Sequence, residues 1–391
     1  MKILLKNGFV YTMDNDAEPC VCDVLIKDNI IEKIEKNIVE ENIVEENVEI
    51  VDCTGYVVLP GLIDSHCHIG LFGSAMGERG VDGNETTSAT TPELRAIDGI
   101  NPYDVEFEHS YRHGVTCVST GPGSANPICG QFVTMKTHGK TFDDMIVRQP
   151  SAMKMAFGEN PKTAHNGAAP VTRMGTAAII REALFKTIRY NADKKKAYKE
   201  DKPLPPFDMK LEALIPVVEG ELPVKAHAHR SDDILTALRI AKEFNLDMSI
   251  EHCSEGHLIP EQLDGANGVI IGPLLGFPHK LEVANQTAEA GGILYEHNVK
   301  FAIMSDLPAS HTSDILLEAG ACVRKGLPMI EALKAITINP AEILKVDDHI
   351  GSIRVGKDAD IVVFTSNPIE VVDSTCILTM IDGKIVHNEI K

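Results

Sequence analysis

Short alternating apolar runs occupy both ends of the chain, and longer runs that alternate with helical patterns occupy its middle. Residues 1–58 read as short strands. Ile3-Leu4-Leu5 leads into Gly8-Phe9-Val10-Tyr11, and Asp23-Val24-Leu25-Ile26-Lys27 meets Ile30-Ile31-Glu32-Lys33-Ile34 across Asp28-Asn29, a good two-residue hairpin turn. Between Asn37 and Glu49 the units Asn-Ile-Val-Glu-Glu and Asn-Val-Glu nearly repeat, which fits an acidic surface loop or edge hairpin. The tail has the same texture as the head, with Ile361-Val362-Val363-Phe364 followed by two strands around Asp382-Gly383. The two ends are therefore expected to pair into one small β domain, residues 1–58 with 347–391.

In the middle, strand and helix patterns take turns. Val115 to Thr120, Gln131 to Met135, Ala152 to Phe157, Val224 to His227, Met248 to His252, Gly268 to Pro273 and Val299 to Asp306 read as strands. Tyr103 to Tyr111, Met174 to Lys199, Asp232 to Phe244 and residues 329–345 read as helices, and Pro203-Leu204-Pro205-Pro206 as a linker. Regular alternation implies βαβ units and a parallel sheet. About eight units over residues 59–346 predict an α/β chain built as a (β/α)8 TIM-like barrel, with a doubly wound open sheet as the alternative. No Gly-x-Gly-x-x-Gly follows a strand, so dinucleotide binding has no support. The long Gly-, Thr- and Ser-rich stretch from Gly70 to Asp104 has the character of a binding loop or lid.

Chemistry enters at the ends of these strands. Tyr56-Val57-Val58-Leu59 runs through Pro60-Gly61 into Leu62-Ile63-Asp64-Ser65-His66-Cys67-His68. In an extended strand positions i and i+2 share a face, so His66 and His68 can aim two imidazoles at one point. Alone, His-x-His is weak evidence and reads more readily as two surface histidines. Lys154 sits inside a buried strand, however, and His227, His252 and Asp306 each close another. In a barrel such ends converge on one mouth. Several imidazoles and a carboxylate there suit Zn2+, as one ion or two, with Mn2+ or Fe2+ as alternatives. A metal-activated water needs a general base and the leaving group needs a proton, and Asp306 is placed to serve both in succession. Lys154 has two readings: a structural lysine paired with an acid, or an amine carbamylated by CO2 into a bridge between two metals. His229 either orients substrate or replaces His227 as ligand. His165 and Arg173 either grip a substrate carboxylate or are solvated, and His257 and His279 are weaker candidates.

Composition narrows the partners. A formal net charge of -20 argues against nucleic acid or an anionic membrane surface, which leaves a small-molecule substrate, with a homo-oligomer open. No apolar stretch approaches the ~20 residues of a membrane span, and the first residues turn polar too soon for a signal peptide. Nine scattered cysteines with no Cys-x-x-Cys fit reduced thiols in a cytoplasm.

These motifs, together with Val224-Lys225-Ala226-His227-Ala228-His229, Ile250-Glu251-His252, Ser305-Asp306, Thr337-Ile338-Asn339-Pro340-Ala341 and the tail from Gly351 to Phe364, resemble the metal-dependent amidohydrolase superfamily, in its imidazolonepropionase-like and dipeptidase-like branch. The resemblance implies a barrel with a β domain from both termini. It implies that His66, His68, His227, His252 and Asp306 bind metal, with Asp306 also the proton shuttle and Lys154 the position carbamylated in binuclear members. The implied activity is hydrolysis of an amide or cyclic amide C–N bond. The alternatives are a deaminase acting on a heterocycle, whose further His-x-x-Glu pattern is missing after His227, and a non-catalytic scaffold, which would be expected to lose ligands. The segment Phe157-Gly158-Glu159-Asn160-Pro161-Lys162 matches no member of known substrate.

Overall fold

The computed structural model describes residues 2–15, 17–38, 48–74, 76–165 and 167–390. Five strands come first: β1 (Lys2–Val10), β2 (Cys20–Lys27), β3 (Ile30–Glu35), β4 (Val48–Asp52) and β5 (Val57–Pro60). Eight follow: β6 (Leu62–Cys67), β7 (Val115–Thr120), β8 (Ile128–Lys136), β9 (Ile146–Ala156), β10 (Val224–Ala228), β11 (Met248–His252), β12 (Gly268–Ile271) and β13 (Phe301–Ile303). The chain ends with β14 (Ile361–Phe364), β15 (Cys376–Ile381) and β16 (Lys384–Asn388).

These strands form two sheets. The order β16-β15-β14-β5-β1-β2-β3, with β4 on β1, joins head and tail in one sheet. Its central seam pairs β14 with β5 antiparallel, Ile361 opposite Pro60 and Phe364 opposite Val57. Val24, Ile26, Val58, Ile361, Val363 and Met380 bury one face of it. Asp28-Asn29 is the turn between β2 and β3. Asp382-Gly383 turns β15 into β16 with φ of 49° and 69°, the positive pair of a type I′ hairpin. A side chain at Gly383 would meet the Asp28 carbonyl oxygen at 1.9 Å, so only glycine fits there. Residues 39–47 of the acidic near-repeat lie outside the described residues, and Val48–Asp52 from its end pairs parallel with β1.

The second sheet runs β13-β12-β11-β10-β9-β8-β7-β6 and nearly closes on itself. The Asp306 amide donates to the His66 carbonyl (3.1 Å), and the His68 amide donates to the Leu307 carbonyl (2.9 Å). The Asp64 carboxylate accepts from the Ser305 amide (3.2 Å) and from the Ser305 hydroxyl. These bonds span the gap between the first and last strands. Helices Arg173–Lys199, Ser231–Phe244 and Ile315–Arg324 supply Ile180, Ile240 and Ile315 to the largest apolar core. None of the helices is long and apolar enough to cross a membrane among the described residues.

Three sequence expectations need correction. The regular eightfold βα repeat is broken, because β8 runs antiparallel to both β7 and β9. The connections at 121–127 and 137–145 are too short for the crossover of a dozen or more residues that a parallel pair requires. The last helix is two, Met329–Lys334 and Ile338–Ile343, because Pro340 suits the first turn of a new helix but not the interior of a long one. The last strand stops at Ile303, and Asp306 stands beyond it with φ of 54°.

The two sheets are joined by one buried charge. Lys136, at the end of β8, lies 2.6 Å from Asp360 and 3.2 Å from both Asp358 and Asp382. Burial works against its charge, but Asp360, Asp382 and Asp358 outweigh burial and hold it cationic.

Candidate metal centre

The six predicted metal-site residues meet at one end of the second sheet. His66 lies in β6 with His68 just past it, Lys154 lies in β9, His227 lies in β10 with His229 just past it, His252 ends β11, and Asp306 follows β13. The ligand atoms of His66, His68 and Asp306 fall within 4.8 Å of one another, and so do those of His227, His229 and His252. The two triads touch: the His66 and His252 rings are 5.9 Å apart, and His252 lies 4.4 Å from both His227 and His229.

Hydrogen bonds orient these rings. The Nδ1–H of His68 donates to the Gly121 carbonyl (2.7 Å), and that of His252 to the Gly272 carbonyl (3.1 Å). A carbonyl only accepts, so each neutral ring carries its lone pair on Nε2. His66 places Nδ1 on Glu251 Oε2 at 2.7 Å and its Nε2 accepts from Lys154 Nζ at 2.9 Å. His229 uses Nδ1 on the Ser254 hydroxyl (2.8 Å), and its buried Nε2 has no hydrogen-bond partner, nor does Nδ1 of His227. Burial is the largest influence on His66, His227, His229 and His252 and drives all four well below the usual histidine range, so their rings are neutral near pH 7. The Lys154 amine is lowered to about 8, again chiefly by burial.

This arrangement fits a divalent transition metal. The His68 Nε2 lone pair faces Asp306 Oδ1 at 3.4 Å, and His66 Nε2 lies 3.9 Å from the same oxygen. Acceptors facing one another repel, and a cation between them removes the conflict. Spending Nδ1–H on a carbonyl or carboxylate while Nε2 points inward is the usual support of a metal-holding histidine.

An 850 Å³ cavity opens on this cluster, with His68, His227, His229, His252 and Asp306 in its wall. Its size suits a small molecule. His279 also lines it, whereas His165 and Arg173 do not. Arg173 is spent on Asp232 and Asp233 beside a separate cavity. Three groups in or beside the cluster escaped sequence reasoning. Glu251, fully buried, ties His66 to Lys225 Nζ (3.0 Å). Glu282, also buried, lies 3.7 Å from His229 Nε2 and 4.0 Å from His227 Nε2, and pairs with Lys280 at 2.6 Å. Asn160 places Nδ2 3.4 Å from His227 Nε2 and accepts from Lys280 Nζ (3.2 Å). Glu251 had a signal, a charged residue in the middle of an apolar strand with Lys225 in the strand before it. Glu282, in a single 3-10 turn between Leu281 and Val283, had none.

A crystal structure of an amidohydrolase from Thermotoga maritima MSB8 superposes with a TM-score of 0.94 at 40% identity, covering 99% of this chain and all of that one. The chain belongs to the amidohydrolase superfamily. The fold is a TIM-like barrel with an extra β domain. The amidohydrolase family profile matches residues 211–386. Imidazolonepropionase of Brevibacillus brevis is 24% identical over 81% of this amidohydrolase and 76% of its own length. Amidohydrolase tasK of Hapsidospora irregularis is 29% identical over 94% of the chain, which spans only 41% of that protein.

Proposed function

We propose that this amidohydrolase cleaves an amide or cyclic amide C–N bond in a small molecule, using one or two divalent metal ions, Zn2+ foremost. The carrying observation is the convergence of neutral, inward-facing imidazoles with Asp306 in the wall of one cavity. His66, His68, His227, His252 and Asp306 would hold the ion or ions, with His229 and Glu282 beside them. Lys154 belongs to the same reading, as the amine on which a carbamate bridging a second ion would be built. An ion held there supplies a water acidic enough to ionise near neutral pH and polarises the substrate carbonyl.

The remaining work falls to the chain. Asp306 is 21% exposed at its side chain, whereas Glu251 and Glu282 are 0% and 3%. It is therefore the carboxylate of the three that solvent and substrate reach. Its Oδ1 takes the proton of the attacking water and passes it to the leaving nitrogen. His229, Asn160 and Lys280 line the same cavity and orient the substrate's carbonyl and any carboxylate.

The test is a screen of N-acyl amino acids, dipeptides and cyclic amides with metal content measured in the same preparation. Asp306→Asn should keep much of the metal and lose about 10²–10⁴-fold in kcat. Full activity after chelation and dialysis would refute the metal dependence. Near-wild-type turnover of Asp306→Asn at full occupancy would place the base elsewhere.

A further inference from the structure

A second group of metal-capable side chains stands outside the cavity. Glu106 and His109 are one turn apart on the helix Val105–Arg112, and His311 comes from the segment that follows β13 and carries Asp306. Their ligand atoms all lie within 4.8 Å of one another. We propose that Glu106, His109 and His311 form a separate site for a divalent transition metal, Zn2+ foremost, which fastens the Asp306 segment to that helix.

The geometry is close to what such an ion needs. Glu106 Oε2 lies 3.0 Å from His311 Nδ1 and 3.9 Å from His109 Nδ1. A tetrahedral ion with bonds of about 2.0–2.1 Å holds its ligand atoms about 3.3 Å apart. The two distances bracket that value, so small side-chain rotations complete the site. The Glu106–His311 pair satisfies only itself. It leaves His109 Nδ1 buried without a hydrogen-bond partner. The two backbones are already fixed beside the site, because the buried hydroxyls of Ser110 and Thr312 bond at 2.7 Å. The site is also reachable, since the His311 side chain is 58% exposed. Two imidazoles and one carboxylate leave the fourth position to water, an open set that zinc accepts.

The experiment starts from metal-free protein given only as much Zn2+ as the His311→Ala variant retains after desalting, which fills the cavity and leaves the Glu106 site open. Co2+ is added, and binding is followed by calorimetry and by the visible absorption of four-coordinate Co2+. Wild-type protein should bind one further equivalent. His311→Ala and His109→Ala should each weaken that event by at least about 100-fold, since even partners that only orient a ligand cost 10–100-fold. His297→Ala removes a surface histidine paired with Glu261 at 3.5 Å and should change nothing. No further equivalent in the wild type, or equal binding by His311→Ala, would overturn the proposal. Circular dichroism in chelator shows that each variant is folded. His66→Ala should lose cavity metal and keep the Glu106 site, so failure of one assignment is distinguishable from failure of the other.

Discussion

Glu251→Gln tests the support beneath His66. Glu251 is fully buried and holds three donors: His66 Nδ1 at 2.7 Å, Lys225 Nζ at 3.0 Å and the Ser249 hydroxyl. Glutamine keeps the shape but loses the charge. His66 and Lys225 share the Oε2 oxygen, so the amide oxygen takes that place while the NH2 turns to the Ser249 hydroxyl, which can accept. Lys225 is 2% exposed, and its other hydrogen bond goes to the Ser65 carbonyl at 3.1 Å. Breaking a buried pair by removing one partner costs about 3–5 kcal/mol. The amide oxygen still accepts from these donors, and this neutral hydrogen bonding recovers about 1 kcal/mol, so the expected loss is about 2–4 kcal/mol. Metal affinity should fall about 10–100-fold, because a neutral amide oxygen supports the His66 imidazole less strongly than a carboxylate. The assay has two parts: urea midpoints of metal-free protein at matched slope, and chelator competition for the metal. Adding Lys225→Met should return much of the stability, since the stranded ammonium goes with it, but should not restore metal affinity. A loss below about 1 kcal/mol, or a double variant no better than the single, would show that the pair carries no buried charge worth the name.

Lys136→Met should destabilise the protein by about 3–5 kcal/mol, seen as a lower urea midpoint, because Asp360 is left buried among Asp358 and Asp382. Glu318 sets a pH dependence. Burial raises its carboxyl from 4.5 to about 7, so the folded state binds an extra proton between those values. Stability should therefore fall as pH rises through that window, by up to about 3 kcal/mol from this group. Glu318→Gln should flatten that part of the melting temperature–pH curve, and an unchanged curve would refute the assignment.

Much of this was legible in the sequence because it depends on local period. The ends of β6, β10 and β11 were readable from apolar runs that stop at His66, His227 and His252, and the turns from Asp28-Asn29 and Asp382-Gly383. Strand direction was not, because alternation looks the same both ways. Only the short connections around β8 hinted that it is reversed. Partners far apart in sequence were equally hidden. Nothing local tells that Arg173 is consumed by Asp232, or that Glu282 reaches the histidines from the short turn Leu281–Val283. The triple Lys136 contact needs both sheets folded before it exists.

The reversal of β8 gives the chain two turns with separate duties. In a run of parallel strands, every turn leaving a strand's C-terminal end opens on the mouth. Here residues 121–127 do so: the Gly121 carbonyl grips His68, and Ser124 lines the cavity. Residues 137–145 lie at the far end, beside Lys136 and the seam between the sheets. Changes in the first turn reach whatever enters the cavity, while changes in the second reach only how firmly the barrel is seated on its companion sheet. Ligand selection and cohesion can thus drift independently on either side of a single nine-residue strand.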